Sequence, residues 1–277
     1  MIYGKIDFSV FFIYIFFVGS ITGCVMNIDK PFSLEGKTIL VTGASSGIGQ
    51  SVAIESARSG ATVIISGRNT QRLEKTYNQL SGSDHKMIVA DLSLYEDIEK
   101  LVKECPELDG LSNNAGIAQG LLIRSMNKEY FDGIMKTNAY GPILLTQLLF
   151  KKKKLKDNSS IVFTSSLSGV YVVSYGEAAY AASKGAISGF AKGAALEFAS
   201  KGIRVNCVNP CIVVTDLFKS KGVFVNQEQI DETSKNFPLK RLGDPTDVAW
   251  AHVYLMSDAS SWITGVNLPI DGGFTLK

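Results

Sequence analysis

The stretch Thr38 to Ala57, T-I-L-V-T-G-A-S-S-G-I-G-Q-S-V-A-I-E-S-A, narrows the possible folds of this chain more than any other. Ile39, Leu40 and Val41 form an unbroken apolar run, the pattern of a strand buried on both faces of a parallel sheet. Ile48, Val52 and Ala53 then recur on one face of a helix. Glycines occupy the join. Gly43 permits a tight turn, Gly47 lets backbone approach a ligand with no Cβ in the way, and Gly49 lets the helix pack close to the strand. The first N–H groups of that helix lack intrahelical partners and carry the positive end of the helix dipole, so they suit a pyrophosphate. A glycine/serine loop alone would say little. A strand before it and a helix after it make a dinucleotide site the better reading.

The rest of the chain keeps the same rhythm. Strands are expected at Thr38 to Thr42, Thr62 to Ser66, Lys86 to Ala90, Gly110 to Asn113, Ser160 to Thr164, Arg204 to Val208 and Val266 to Ile270. Long helical patterns separate most of them. The expected architecture is therefore α/β: a single doubly wound Rossmann-type domain over 29–277, with a seven-stranded parallel sheet, right-handed crossovers and helices on both faces. A length of 277 residues is ordinary for one such unit. Asp244, Pro245 and Asp247 read as an N-cap, a proline at the first helical position and an acid in the first turn, opening a helix through about Met256. Residues 216–242 are polar and weakly periodic, a candidate substrate lid with a plain surface excursion as its competitor.

Composition removes several functions. Twenty-eight basic residues against 26 acidic ones leave a net charge of +2, no field for nucleic acid. The run Lys151 to Lys154, extended by Lys156, reads as a solvated helix end. Cys24, Cys105, Cys207 and Cys211 lack metal-ligand spacing and have only His85 and His252 to help them, so neither a metal site nor a disulfide framework is expected. With no G-x-S-x-G and so few histidines, a Ser-His-Asp hydrolase is a poor fit.

Tyr180 and Lys184, in A-Y-A-A-S-K-G-A, share a helix face. An ammonium near a phenol favours the phenolate and should pull its pKa down. Such a hydroxyl can give a proton to a carbonyl oxygen as hydride arrives, or take one from an alcohol.

These features occur together with N-N-A-G at Asn113 to Gly116, K-T-N ending at Asn138, F-T-S-S ending at Ser166, and N-P-x-x-x-x-T from Asn209 to Thr215. In that order the motifs resemble the short-chain dehydrogenase/reductase family, from about Leu34 to the C-terminus, and most nearly its 3-oxoacyl-carrier-protein reductase-like members. The resemblance implies that Ser166 bonds the substrate carbonyl, with Ser165 as its competitor. It also implies that Tyr180 is the acid/base, that Lys184 lowers its pKa and holds the nicotinamide ribose, and that Asn138 anchors a relay water. Cofactor contacts carry over to Gly43, Ser45, Ser46, Gly47 and Ile48 at the phosphates and to Asp91 and Leu92 at the adenine. Asn114, Ala115 and Gly116 fall along the ribose, with Val213 and Thr215 at the carboxamide. One departure is Cys211, where the family usually has glycine; a positive φ there would strain it.

Where NAD-preferring Rossmann proteins place a carboxylate on the ribose 2′-OH, this chain has Gly67 followed by Arg68, which favours NADP(H) over NAD(H). The reading is an NADP(H)-dependent oxidoreductase that reduces a carbonyl to a secondary alcohol, or the reverse, on a small molecule. Its rival is a non-catalytic cofactor-binding interaction protein, which has no need of Ser166, Tyr180 and Lys184 together. Gly185, Gly189 and Gly193 recur on one helix face, and the resemblance implies a homotetramer meeting there.

Residues 1–28 stand apart as an apolar extension. Phe8 to Val18 is about 11 residues, against the roughly 20 that a bilayer-spanning helix needs. Ending at Cys24, the segment resembles a bacterial lipoprotein signal, which would anchor the protein to a membrane. Asp7, however, cancels Lys5 in the charged region such signals need. An exported enzyme would also leave its cofactor supply behind. Translation from Met26 and a cytoplasmic enzyme are the expectation.

Overall fold

A computed structural model describes residues 30–215 and 226–276. The N-terminal extension with Cys24 and the first part of the expected lid, 216–225, lie outside the described residues. Seven strands form one sheet: β1 (Thr38–Thr42), β2 (Thr62–Gly67), β3 (Lys86–Val89), β4 (Leu108–Asn113), β5 (Leu155–Thr164), β6 (Arg204–Pro210) and β7 (Asn267–Ile270). Every pairing is parallel and the order is β3-β2-β1-β4-β5-β6-β7. The expected doubly wound sheet is what forms.

The helices in chain order are α1 (Gly47–Arg58), α2 (Thr70–Tyr77), α3 (Tyr95–Glu104), α4 (Lys128–Met135), α5 (Gly141–Lys151), α6 (Ala178–Phe198), α7 (Gln227–Ser234) and α8 (Pro245–Met256). Alternation within each strand feeds two cores. Leu40, Ile64, Leu111, Ile161, Phe163 and Val205 pack with Ile98 and Leu101 of α3, Leu145 and Leu149 of α5, and Ile187 and Phe198 of α6. Ile39, Val41, Val63, Ile65, Val162 and Val208 pack with Val52 and Ala53 of α1 and Val248, Ala249 and Val253 of α8. Burial of each such side chain contributes about 1.5–3 kcal/mol, which is why unbroken apolar strands need helices on both sides.

Some boundaries differ from expectation, for physical reasons. β5 begins at Leu155 rather than Ser160, because Leu155 pairs with Leu108 across a register shift. The polar residues between carry no apolar signal, and Asn158 turns through φ +64. The lysine run does cap a helix end: α5 stops at Lys151, Lys154 Nζ donates to the Cys105 carbonyl at 2.6 Å, and Lys156 pairs with Asp109 at 2.8 Å. The expected N-cap Asp244 opens α8 and proves part of a capping box, its carboxylate accepting from Thr246 N at 2.9 Å and the Asp247 carboxylate from Asp244 N at 2.8 Å. Within the expected lid, Asn226 caps α7 by accepting from Gln229 N at 3.0 Å, so this polar stretch holds a short helix.

The glycine turn behaves as its sequence requires. Gly43 has φ +65, and a Cβ there would lie 2.7 Å from Ala115 N. A Cβ on Gly49 would overlap the Gly43 carbonyl oxygen, a backbone atom that cannot swing aside. Gly49→Ala is therefore expected to cost about 1–3 kcal/mol by overpacking, read as a clear fall in melting temperature. An unchanged melting temperature would show that α1 moves off the sheet freely.

Candidate active site

Because all strands are parallel, their carboxyl ends share one edge, and the strand order reverses between β1 and β4, the position where such sheets bind ligands. The glycine turn leaves β1 there, and N-N-A-G, Ser166 and Cys211 follow β4, β5 and β6. Ser46 caps α1 with extended backbone and no side-chain hydrogen bond, so the first N–H groups of α1 lack a side-chain acceptor. Gly47 has φ +57 and faces Thr215, whose Cγ2 would lie 3.2 Å from an added Cβ. Thr215 Oγ1 is buried without a hydrogen-bond partner. Helix N–H groups without a side-chain acceptor and a bare glycine are what a dinucleotide phosphate would fill, and the orphaned Thr215 hydroxyl beside them has room for another polar group of the same ligand.

Neighbouring positions fall into the same crevice. Ser45 Oγ lies 3.4 Å from where a Cβ on Gly67 would sit, which brings the end of β2 beside the turn. Arg68, next along, reaches Asp91 at 3.4 Å. Burial works to raise the Asp91 carboxyl, yet hydrogen bonds from Ser93 and the Arg68 guanidinium hold it below its ordinary value. Leu92 is buried under α5, its carbonyl against Gly141. Asn114 N and Ala115 N donate to Thr42 Oγ1 at 3.1 and 3.3 Å, tying N-N-A-G to β1. Val213 bridges to Gly243.

The second half of the site lies on α6. The Ser166 side chain lies near enough to the Tyr180 hydroxyl to work against the rise of its pKa, and Ser166 Oγ accepts from Ser168 N at 3.1 Å. Ser165 points elsewhere, its hydroxyl donating to the Lys184 carbonyl and contacting Ser188 Oγ, both at 3.0 Å. Of the two serines, the fold brings Ser166 to the tyrosine. Lys184 Nζ donates to the Thr164 carbonyl at 2.8 Å and stands 5.8 Å from the Tyr180 ring centroid. Asn138 sits in a π-type turn at Lys136–Tyr140 between α4 and α5. It pins Ile117 from both sides, accepting from its N–H at 2.7 Å and donating to its carbonyl at 2.9 Å.

Two expectations are corrected. The spacing predicts that Lys184 pulls the Tyr180 pKa down. In the structure burial pushes it up, the Ser166 side chain works the other way and the Glu177 charge adds to the rise. Burial also lowers Lys184 itself, to about 8, so desolvation outweighs the pairing of the two. Cys211 is not in the positive-φ region; its N–H donates to the Ile270 carbonyl at 3.1 Å, continuing the β6–β7 ladder, so no strain arises. Its thiol is raised, chiefly by burial.

Glu177 escaped the sequence reading. Its carboxylate accepts from Ser168 Oγ at 2.6 Å and bears on both Tyr180 and Cys211. Its place three residues before Tyr180 was the signal available. Among the described residues no group of three or more His, Cys, Asp and Glu could hold a metal. No described helix is long and apolar enough to cross a membrane.

Known proteins resemble this chain in sequence and fold. The family described as enoyl-(acyl carrier protein) reductase matches residues 43–275. Oxidoreductase UcpA of Salmonella typhimurium is 36% identical over 253 residues, spanning 88% of this chain and 96% of that protein. The 3-oxoacyl-[acyl-carrier-protein] reductase FabG of Thermotoga maritima is 37% identical over 250 residues, spanning 88% and 99%. A candidate NAD(P)-dependent gluconate 5-dehydrogenase from Beutenbergia cavernae, solved with NADP at low occupancy, superposes with a TM-score of 0.79 at 30% identity, covering 89% of this chain and 100% of that one. The glycine turn, the serine–tyrosine–lysine cluster and these similarities together define an NAD(P)-dependent dehydrogenase/reductase acting on small molecules. The chain belongs to the short-chain dehydrogenase/reductase family, as a member resembling the 3-oxoacyl-carrier-protein reductases.

Proposed function

We propose that this protein is an NADP(H)-dependent oxidoreductase that interconverts a ketone and a secondary alcohol, with Tyr180 as the acid/base. The observation that carries the reading is Ser166 beside Tyr180 and the buried Lys184, at the same sheet edge as the glycine turn. A non-catalytic binding module gives no reason to bury a lysine at 5% exposure on a single carbonyl.

The bound nicotinamide supplies the hydride, or accepts it in oxidation. Ser166 donates a hydrogen bond to the carbonyl oxygen and orients it against Tyr180. The raised pKa keeps the Tyr180 phenol protonated at neutral pH, as a proton donor must be in reduction. Lys184, charged below about 8, stabilises the phenolate left behind and bonds the nicotinamide ribose hydroxyls. Asn138, by fixing Ile117, holds the floor of the site, and its remaining oxygen lone pair anchors the relay water. Gly43, Ser45, Ser46, Gly47 and Ile48 cradle the phosphates, Asp91 and Leu92 the adenine, Asn114 to Gly116 the ribose, and Val213 and Thr215 the carboxamide. The stretch 216–242, whose described part holds the short helix α7, serves as the substrate lid.

Arg68 selects the 2′-phosphate. Its ion pair with Asp91 is long and its side chain is 59% exposed, so a phosphate competes easily for the guanidinium. A bidentate contact contributes roughly 1.5–3 kcal/mol, about tenfold to a hundredfold in preference.

We also read α6 as an assembly face. Cβ atoms on Gly189 and Gly193 would meet nothing within 4 Å, so packing inside the chain does not call for those glycines. Leu196 on the same helix is 81% exposed and Tyr140, ahead of α5, is 65% exposed. A second copy covering this face accounts for the glycines despite their cost of about 1 kcal/mol each, and a homotetramer is the proposed state.

Four measurements test these readings. A ketone panel with NADPH and NADH, followed at the nicotinamide absorbance, should show turnover with a preference for NADPH that Arg68→Ala removes. Tyr180→Phe should abolish turnover and leave NADPH binding nearly intact. Equal efficiency with both cofactors, or substantial activity in Tyr180→Phe, would count against the corresponding claim. In the oxidation direction, Glu177→Gln removes the charge that raises Tyr180, so the rising limb of the pH–rate profile should move to lower pH; a limb that stays put contradicts Tyr180 as its source. Light scattering at micromolar concentration should give a tetramer mass, and a monomer mass would refute the assembly.

A further inference from the structure

His252 is one of two histidines in the chain, fully buried on α8, and neither the dinucleotide nor the substrate chemistry above makes use of it. Its ring lies between two hydroxyls, Nδ1 at 2.9 Å from Ser112 Oγ on β4 and Nε2 at 2.9 Å from Thr164 Oγ1 on β5. Both hydroxyls also reach the side chain of Asn114: Asn114 Nδ2 lies 2.7 Å from Ser112 Oγ, and Thr164 Oγ1 lies 2.5 Å from Asn114 Oδ1. The four side chains close a ring of hydrogen bonds beneath N-N-A-G.

The direction of that ring is forced. Asn114 Nδ2 is also 3.3 Å from the Ser112 backbone carbonyl, which can only accept, so the amide nitrogen must be on that side and the amide oxygen on the Thr164 side. Thr164 then spends its single proton on Asn114 Oδ1 and must accept from His252, which places the ring proton on Nε2. Nδ1 is left bare, and the Ser112 hydroxyl donates to it while accepting from Asn114 Nδ2. Every member thus gives one hydrogen bond and takes one within the ring, and a second ring proton would take from the Ser112 hydroxyl its acceptor in the ring. The lowering of His252 to about 3 by burial agrees with a ring that stays neutral.

Two arms lead from the ring to the dinucleotide site. Asn114 opens the segment whose backbone is held by Thr42 of β1 and packs on Gly43. Thr164 offers its carbonyl to Lys184 Nζ. We propose that His252 is a positioning residue for the dinucleotide site, its Nε2–H tautomer fixing the Asn114 amide and the Thr164 main chain so that N-N-A-G and Lys184 meet the cofactor in one geometry. This rests on the cofactor placement proposed above.

The tautomer is read directly on the unsubstituted protein. With labelled histidine and only two histidine signals, a long-range nitrogen–proton spectrum should show His252 protonated at Nε2 and bare at Nδ1, before and after NADPH is added. A proton at Nδ1 would overturn the inference. NADPH binding followed by fluorescence should weaken about tenfold in His252→Leu, which strands the buried Ser112 hydroxyl and the part-buried Thr164 hydroxyl. It should largely recover in His252→Gln, whose carboxamide offers one donor and one acceptor. If Leu binds as tightly as histidine, or Gln binds as weakly as Leu, the positioning role is wrong. A wild-type chain that binds no dinucleotide would instead sink the proposed function, and the tautomer measurement would still decide the ring.

Discussion

A parallel sheet with both faces covered has only its edges free for chemistry, and the site depends on that constraint. Each crossover returns the chain over a helix, so all seven strands run out on one side, and the residues just past their ends become neighbours although they are far apart in sequence. Gly43, Asn114, Ser166 and Cys211 meet for this reason and for no local one. The strands themselves contribute stability: Ile39, Leu40 and Val41 are fully buried, and the same burial anchors the turn after them.

Desolvation then decides the electrostatics. The two groups best suited to move a proton, Tyr180 and Lys184, are both pushed toward their neutral forms, one upward and one downward, with burial as the leading cause in each. Opposite charges at helical spacing would have predicted the reverse. A cofactor bearing phosphates and a ribose would alter that balance by supplying both charge and hydrogen-bond partners.

What was legible in the sequence followed from local physics. Unbroken apolar runs marked six of the seven strands to within two residues at each end, glycines at a strand–helix join marked the turn, and the N-cap Asp244 with Pro245 and Asp247 marked the start of α8. The early start of β5 was hidden because Lys156, Asp157 and Asn158 are held by pairing and a left-handed turn rather than by apolar burial. α7 was hidden because a short polar helix has no strong period. The choice between Ser165 and Ser166 needed the direction of each hydroxyl, and the influence of Glu177 needed its path through Ser168. His252 was least legible of all, since its partners come from β4, β5 and the N-N-A-G segment.

The position of β1 in the middle of the sheet also shapes how the chain is made. β2 follows it closely and can zip onto one flank at once, but the other flank is completed only by β4, which begins at Leu108. At about 5–20 residues per second on the ribosome, that flank waits several seconds with an open row of backbone donors and acceptors and two apolar faces. The Rossmann half that ends at β4 is thus the portion of the newborn chain most exposed to chaperones, and the glycine turn it carries cannot acquire its final shape until Ala115 arrives to close over Gly43.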